Sequence, residues 1–305
     1  MAVGVIRNEE GAVLIAQRAR DSHQGGLWEF PGGKIEADEN VTEALARELA
    51  EELGIQVQAQ SPLCQIAHDY GDRSVLLDVW SVDRFAGTPQ GLEKQPLRWL
   101  PVDQLQAAEF PQANRAIIRR LKLPEMIAIS GDAEDEQNFH DRFEQVLALG
   151  LKLVYLRVKE LSEEGLRQRA QRCAQLCQIY NAAFVLNADP ELAIECGASG
   201  FHANSQLLLA SNERPVPDTM LFGASCHDEQ QVRHAMAIGA DYLFLSPVLA
   251  TDSHPGRKPL GWEQFGRLCG ISTVPVYALG GMKEEHLALC KRHGALGLAA
   301  IGAFW

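Results

Sequence analysis

Glu48, Glu51 and Glu52 are three and four residues apart, a spacing that brings carboxylates to one face of a helix. Like charges held that close repel, so the cluster destabilises a helix unless cations neutralise it. Oxygen-only carboxylate ligands suit Mg²⁺, with Mn²⁺ as the second choice, and not zinc. A plainer alternative is a solvated acidic face in which Arg47 pairs back to Glu43. The chemistry open to bound cations is the polarising of phosphoryl oxygens, the orientation of an attacking water and the offsetting of charge on a leaving phosphate.

The elements around the cluster can be read from periodicity. Asn40 to Leu53 has helical spacing and stops at Gly54, a fitting C-cap. Val41, Leu45, Leu49 and Leu53 form an apolar stripe beside the acids, which fixes the helix against a core and leaves Glu48 and Glu52 at its edge. AVGVI, AVLIAQR, SVLLDVWSV and LRWL are strand-like runs, with turns at Asn8 to Gly11 and Gly87 to Pro89 and a second helix over Asn114 to Leu121.

Gly33, Glu39, Arg47, Glu48, Leu49, Glu51, Glu52, Gly54 and Ile55 fill every fixed position of the pattern G-x5-E-x7-R-E-U-x-E-E-x-G-U, with U apolar. On these residues the segment resembles the Nudix hydrolases, which cleave a nucleoside diphosphate linked to a further group. The resemblance implies an α/β/α sandwich with a mixed sheet. It also implies that Glu48, Glu51 and Glu52, with the carbonyl of Gly32, hold the cations, that Arg47 orients a glutamate and that Gly33 permits a tight loop. Glu93 is a candidate for a further acid beside the metals.

AVGVIRNEEGAVLIAQR, LWEFPGGKIE and FPQAN extend the resemblance to the MutT-type 8-oxo-dGTP diphosphatases over nearly all of residues 1 to 122. That type implies phosphate contact for Arg18, purine contact for the backbone near Phe30 and reading of the oxidised base by Asn114. An amide suits this task, because 8-oxoguanine offers O6 as acceptor and N7–H as donor. The plain alternative for Asn114 is an N-cap for a helix over Arg115 to Leu121. The expected ligand is an oxidised purine nucleoside triphosphate and the expected role is nucleotide-pool sanitisation, in support of DNA repair and replication.

Past RRLKLPEM the pattern changes, and residues 123–126 are the expected linker. MIAIS, LKLVYLRV, AFVLNA, SGFHA, MLFGAS, DYLFLSPV, PVYALGG and LGLAAIG are eight strand candidates, with helical spacing over Glu163 to Tyr180, Asp228 to Ile238 and Glu284 to His293. Eight such units predict a closed (β/α)₈ barrel over residues 127–305, with an open doubly wound sheet as rival. The chain as a whole is thus α/β and α+β in two domains.

A barrel of this kind places its chemistry at the carboxyl ends of its strands. Arg157, Lys159, Asn187, Ser225, His227, Thr251, Ser253, His254, Gly280, Gly281, Ile301 and Gly302 are the candidates there. Together they resemble thiamin-phosphate synthase and its TenI-type relatives. That family carries Asn-Asp after its third strand, another Asp after its fourth and a lysine in the sixth strand's loop; here Ala188 follows Asn187, FHANSQLL has no acid and His254 replaces the lysine. The resemblance therefore implies a ligand such as thiazole phosphate and degenerate or TenI-like activity, with His227 as the proton carrier. Two rival readings remain: a hydrolase acting on a thiamin-pathway pyrophosphate, and a hydrolase controlled by a noncatalytic phosphate-binding barrel.

Composition bounds these readings. The 305 residues suit two domains, and 46% hydrophobic with 22% charged residues is globular usage. With 28 Lys plus Arg against 40 Asp plus Glu, the net charge of -12 argues against direct nucleic-acid or anionic-membrane binding. Seven cysteines without a C-x-x-C pair suggest neither a disulfide framework nor a zinc ribbon, which fits a reducing cytoplasm. No apolar run approaches a membrane span, and MAVGVIRNEEG reaches charge too soon for a signal peptide.

Overall fold

The computed structural model describes residues 1–157, 161–251, 256 and 258–305. Two compact units divide between Lys122 and Leu123.

In the first unit, β1 (Ala2–Ile6), β2 (Val13–Gln17), β3 (Trp28–Glu29), β4 (Gly32–Gly33), β5 (Gln56–Asp69), β6 (Ser74–Ala86) and β7 (Leu97–Leu100) form two sheets, ordered β4-β1-β6-β5 and β3-β2-β7. The first sheet is mixed, with β1 parallel to β6 and antiparallel to β4, and the second is antiparallel throughout. Helix α1 (Val41–Leu53) packs Ala44, Leu45, Leu49 and Leu53 against Ala2, Ile6, Leu14 and Val82. Helix α2 (Gln112–Leu121) buries Ala113, Ile117 and Ile118 in a second core with Val3, Val5, Val13, Phe30 and Phe110. A helix therefore covers each core, the α/β/α sandwich expected.

The sequence reading missed β5. Its run QVQAQSPLCQIAHD breaks period-two alternation, and register shifts against β6 at Val57/Ala59, Ala59/Gln60 and Pro62/Cys64 account for the lost pattern.

In the second unit, β8 (Met126–Ile129), β9 (Leu153–Arg157), β10 (Ala183–Asn187), β11 (Gly200–Ala203), β12 (Leu221–Cys226), β13 (Tyr242–Leu245), β14 (Val276–Ala278) and β15 (Gly297–Ala300) close a parallel barrel, with β15 paired to β8. The eight expected runs supply these eight strands, and the open-sheet rival falls. Ile127, Tyr155, Val185, Tyr242, Phe244 and Tyr277 fill one core, while the outward residues pack beneath the surrounding helices. The residues expected as a linker are part of this barrel. Leu123 packs in the core with Tyr277, Pro124 accepts a hydrogen bond from Tyr277 Oη at 2.6 Å, and the Glu125 carbonyl accepts one from Leu298 N–H at 3.0 Å.

All seven cysteines are free and buried. Among the described residues, no helix is long and apolar enough to cross a membrane.

Candidate functional site

Helix α1 starts where its sequence requires. Asn40 Oδ1 accepts from the N–H groups of Thr42 and Glu43, and the Glu43 carboxylate accepts from Asn40 N–H at 2.9 Å. Glu43 is thus engaged in the cap, and Arg47 does not pair back to it. Arg47 instead donates to Glu39 at 2.5 and 3.1 Å and to the Lys34 carbonyl at 3.1 Å, and lies 3.1 Å from Glu48 and 3.2 Å from Glu51. One guanidinium ties the loop before α1 to two of the helix's acids.

Gly32 and Gly33 form β4, which runs against this face. A Cβ on Gly33 would stand 2.1 Å from Glu48 Cδ, so glycine is what lets the carboxylate lie on the loop. Gly32 has φ 140°, and a Cβ there would meet the Ala2 carbonyl at 2.2 Å. Its N–H donates to Glu52 Oε2 at 3.3 Å.

Burial, reinforced by the negative charges of Glu29, Glu48 and Glu93, pushes the Glu52 carboxyl up to about 7, against one opposing hydrogen bond from Gly32. Glu29, which sequence reasoning did not single out, is itself raised by burial despite its ion pair with Arg18. Its signal lay in LWEFPGG, where the strand before the glycine turn aims an acid back at the helix.

The acids share a neighbourhood but are not gathered as expected. Glu51 is exposed and turned toward Arg47, Glu93 is exposed, and among the described residues no three His, Cys, Asp or Glu side chains form a ready metal cage. Arg47 holds both Glu48 and Glu51 at its guanidinium. The donor chemistry nevertheless fits a hard divalent cation: oxygen donors only, and a half-buried carboxylate under like-charge repulsion with a single N–H to offset it.

Asn114 lies within α2, whose N-cap is Pro111 with no side-chain cap, so the N-cap alternative falls. Asn114 is 7% exposed, and its Oδ1 accepts from Phe30 N–H at 3.2 Å. Two residues 84 positions apart, both expected at the purine, are thereby joined. The Phe30 ring faces the core and stacks on Phe110 at 5.7 Å. Nearby, Tyr70 Oη accepts from Ala113 N–H at 3.3 Å, and His23 and His68 stand edge-on to the Tyr70 ring. Arg18, besides pairing with Glu29, donates to the His23 carbonyl at 3.1 Å.

Barrel candidates lie at the carboxyl ends of the strands. Arg157 ends β9, 3.7 Å from Asp132, and its N–H donates to Ser130 Oγ at 2.8 Å. Asn187 ends β10 and donates to the His202 carbonyl at 2.9 Å; the next acid along the chain, Asp189, caps the following helix through Glu191 N–H. His227 follows β12, with Nδ1 2.6 Å from the Ser246 carbonyl oxygen. Thr251 lies beyond β13. Gly280 and Gly281 have positive φ, and a Cβ on either would strike Pro247 or Leu249, so these two glycines let the loops after β13 and β14 touch. Ile301 and Gly302 follow β15, where the Ile301 carbonyl accepts from Phe304 and Trp305. Lys159, Ser253 and His254 lie outside the described residues.

Residues 2–120 match the NUDIX domain family, and residues 126–304, more than half of the chain, match thiamine monophosphate synthase. The chain belongs to both families, one per unit. The Nudix unit is 43% identical over 122 residues to the 8-oxo-dGTP diphosphatase of Escherichia coli (strain K12), covering 40% of this chain and 95% of that protein. The synthase-family unit is 32% identical over 184 residues to a putative thiamine-phosphate synthase 2 of Aquifex aeolicus (strain VF5), covering 60% of this chain and 99% of that protein. The first unit is accordingly a Nudix hydrolase.

Proposed function

We propose that the Nudix unit hydrolyses 8-oxo-dGTP to 8-oxo-dGMP and pyrophosphate with Mg²⁺, Mn²⁺ being the substitute. The observation that carries this reading is the Phe30–Gly32 stretch: at one end the Phe30 N–H meets the buried amide of Asn114, and at the other the Gly32 N–H meets Glu52. Base recognition and phosphate chemistry are thus anchored to one short segment, as cleavage at a set distance from a purine requires.

Glu48, Glu51 and Glu52, with the Gly32 carbonyl and Glu93, are the residues that would hold the cation. When bound, it offsets charge on the phosphoryl oxygens while water attacks phosphorus. Arg47 keeps Glu48 and Glu51 in place, and Arg18 takes a phosphate once released from Glu29. The Phe30 N–H fixes the Asn114 amide with Oδ1 toward the backbone, so that Nδ2 donates to O6 while the second lone pair of Oδ1 accepts from N7–H of the oxidised base. Guanine leaves that lone pair unmatched, and a buried unpaired polar group costs about 1–3 kcal/mol.

The barrel is assigned a phosphate-bearing thiamin-pathway ligand such as thiazole phosphate, held at the strand ends by Arg157, Asn187, Ser225, Gly280, Gly281, Ile301 and Gly302. Asp189 is committed to a helix cap, and Ala188 and FHANSQLL provide no acid, so metal-assisted pyrophosphate displacement lacks its charge compensation. A proton transfer centred on His227 fits better.

A turnover panel with Mg²⁺ tests the assignment, using 8-oxo-dGTP, dGTP, ADP-ribose and hydroxymethylpyrimidine diphosphate. The expected order puts 8-oxo-dGTP first. Preference for the pyrimidine diphosphate would transfer the hydrolase to the thiamin pathway.

A further inference from the structure

Inside the barrel, three polar side chains from adjacent strands form one hydrogen-bonded chain. His202 on β11 and Tyr242 on β13 are both in register with Gly223 on β12, the strand between them. A Cβ on Gly223 would stand 2.5 Å from Tyr242 Oη and 2.6 Å from His202 Nδ1, so the missing side chain is what lets the two meet. Tyr242 Oη lies 3.0 Å from His202 Nδ1, and His202 Nε2 lies 2.9 Å from Ser225 Oγ. Ser225 is two residues beyond Gly223 on the same face, one layer nearer the strand ends, and it is only half-buried.

The protons in this chain can be assigned. Burial holds the His202 imidazole down to about 3 and the Tyr242 phenol well above its ordinary value, so both are neutral. A neutral imidazole has one N–H and one acceptor. Were Nδ1 to carry the proton, the fully buried Tyr242 O–H would have no acceptor among its recorded contacts, which costs the full desolvation penalty of the group. Tyr242 therefore donates to Nδ1, Nε2–H donates to Ser225 Oγ, and the Ser225 hydroxyl proton is left to point elsewhere. At a half-buried position near the strand ends, that direction is the mouth.

We propose that Tyr242 and His202 are positioning residues that lock the Nε2–H tautomer and so present the Ser225 hydroxyl as a donor to an oxygen of a phosphate-bearing ligand. The inference rests on the reading of the mouth as the barrel's ligand site, but the tautomer is measurable without any ligand, so the two can fail separately.

The test uses the full chain with ¹⁵N-labelled histidine, the His202 signals being identified by their loss in His202→Gln. Wild type is expected to carry its proton on Nε2 alone, and Tyr242→Phe to release the imidazole into a mixture of tautomers. Calorimetry with inorganic phosphate as probe is expected to give about tenfold weaker binding in Ser225→Ala, about twofold weaker binding in Tyr242→Phe, where only the Nε2–H fraction is competent, and no loss beyond that of Ser225→Ala in the double variant. A proton on Nδ1 in wild type, an unchanged tautomer in Tyr242→Phe, or independent losses in the double variant would overturn the proposal. Phosphate that fails to bind wild type would sink the ligand reading and the donor role together, while the tautomer spectrum still decides whether the lock exists.

Discussion

The acidic face of α1 clusters carboxylates around the half-buried Glu52 and the polar chain inside the barrel runs through the buried His202 and Tyr242, yet the two are balanced in opposite ways. Around Glu52 the groups are anionic, crowded and short of donors, so their charge calls for something the polypeptide does not supply. Around His202 the groups are neutral and each proton has an acceptor, so the chain is complete as it stands except for one hydroxyl at its outer end. A deficit of compensation marks a place for a cation, and a satisfied network with one proton to spare marks a place for an acceptor.

The largest effect should come from removing the deficit. Glu52→Gln and Glu48→Gln are each expected to lower Mg²⁺-dependent kcat by more than about a hundredfold. Glu52→Gln should at the same time raise the thermal midpoint, because it deletes a carboxylate that the fold holds under repulsion. Mg²⁺ should stabilise wild type and leave that variant unmoved, as scanning calorimetry can check. Retained turnover in both variants would erase the contrast.

Gly33→Ala is next. It forces Glu48 off the loop by a methyl group's width, and displacement of about 1 Å in a reacting geometry costs about a hundredfold in rate. Circular dichroism should remain that of wild type; if kcat does also, Glu48 is not needed where it lies.

Asn114→Ala should reduce the preference for 8-oxo-dGTP over dGTP by about tenfold or more while slowing hydrolysis less, since it removes the amide that reads the base and no phosphate contact. Competing-substrate kinetics give the ratio directly, and an unaltered ratio would move base reading to another residue.

At the balanced site the expected effect falls on stability and leaves turnover untouched. The folded barrel holds His202 down to about 3 against an ordinary value near 6.5, so it is the unfolded chain that takes up the proton first as pH falls. Its contribution to stability is complete above about pH 6.5 and declines toward pH 3, by at most about 1.4 kcal/mol per pH unit. Denaturant midpoints of the barrel should follow this slope in wild type and lose it in His202→Gln; parallel slopes would assign the acid sensitivity elsewhere.

Local features were well marked in the chain. Asn40, Glu43 and Gly54 delimit α1 through contacts within a few residues, and eight apolar runs mark the eight barrel strands. What was hidden depends on partners distant in sequence. Arg47 chose Glu39 over Glu43 because the capping box had already engaged Glu43. Helix α2 begins at Gln112, two residues before Asn114, and the Asn114 side chain turns inward to a backbone group 84 residues away. Glu29 joins the acids only once β3 and β4 bring the loop against α1, and His202 in GFHA gives no sign by itself of a tyrosine 40 residues on.

Closure of the barrel has a further consequence for how the polypeptide must be made. Because β15 seals the gap between β14 and β8, a chain halted before Gly297 would leave two open edges, each able to recruit a strand from another molecule. Residues Gly297–Ala300 thus convert an aggregation-prone sheet into one with nothing left to offer a neighbour.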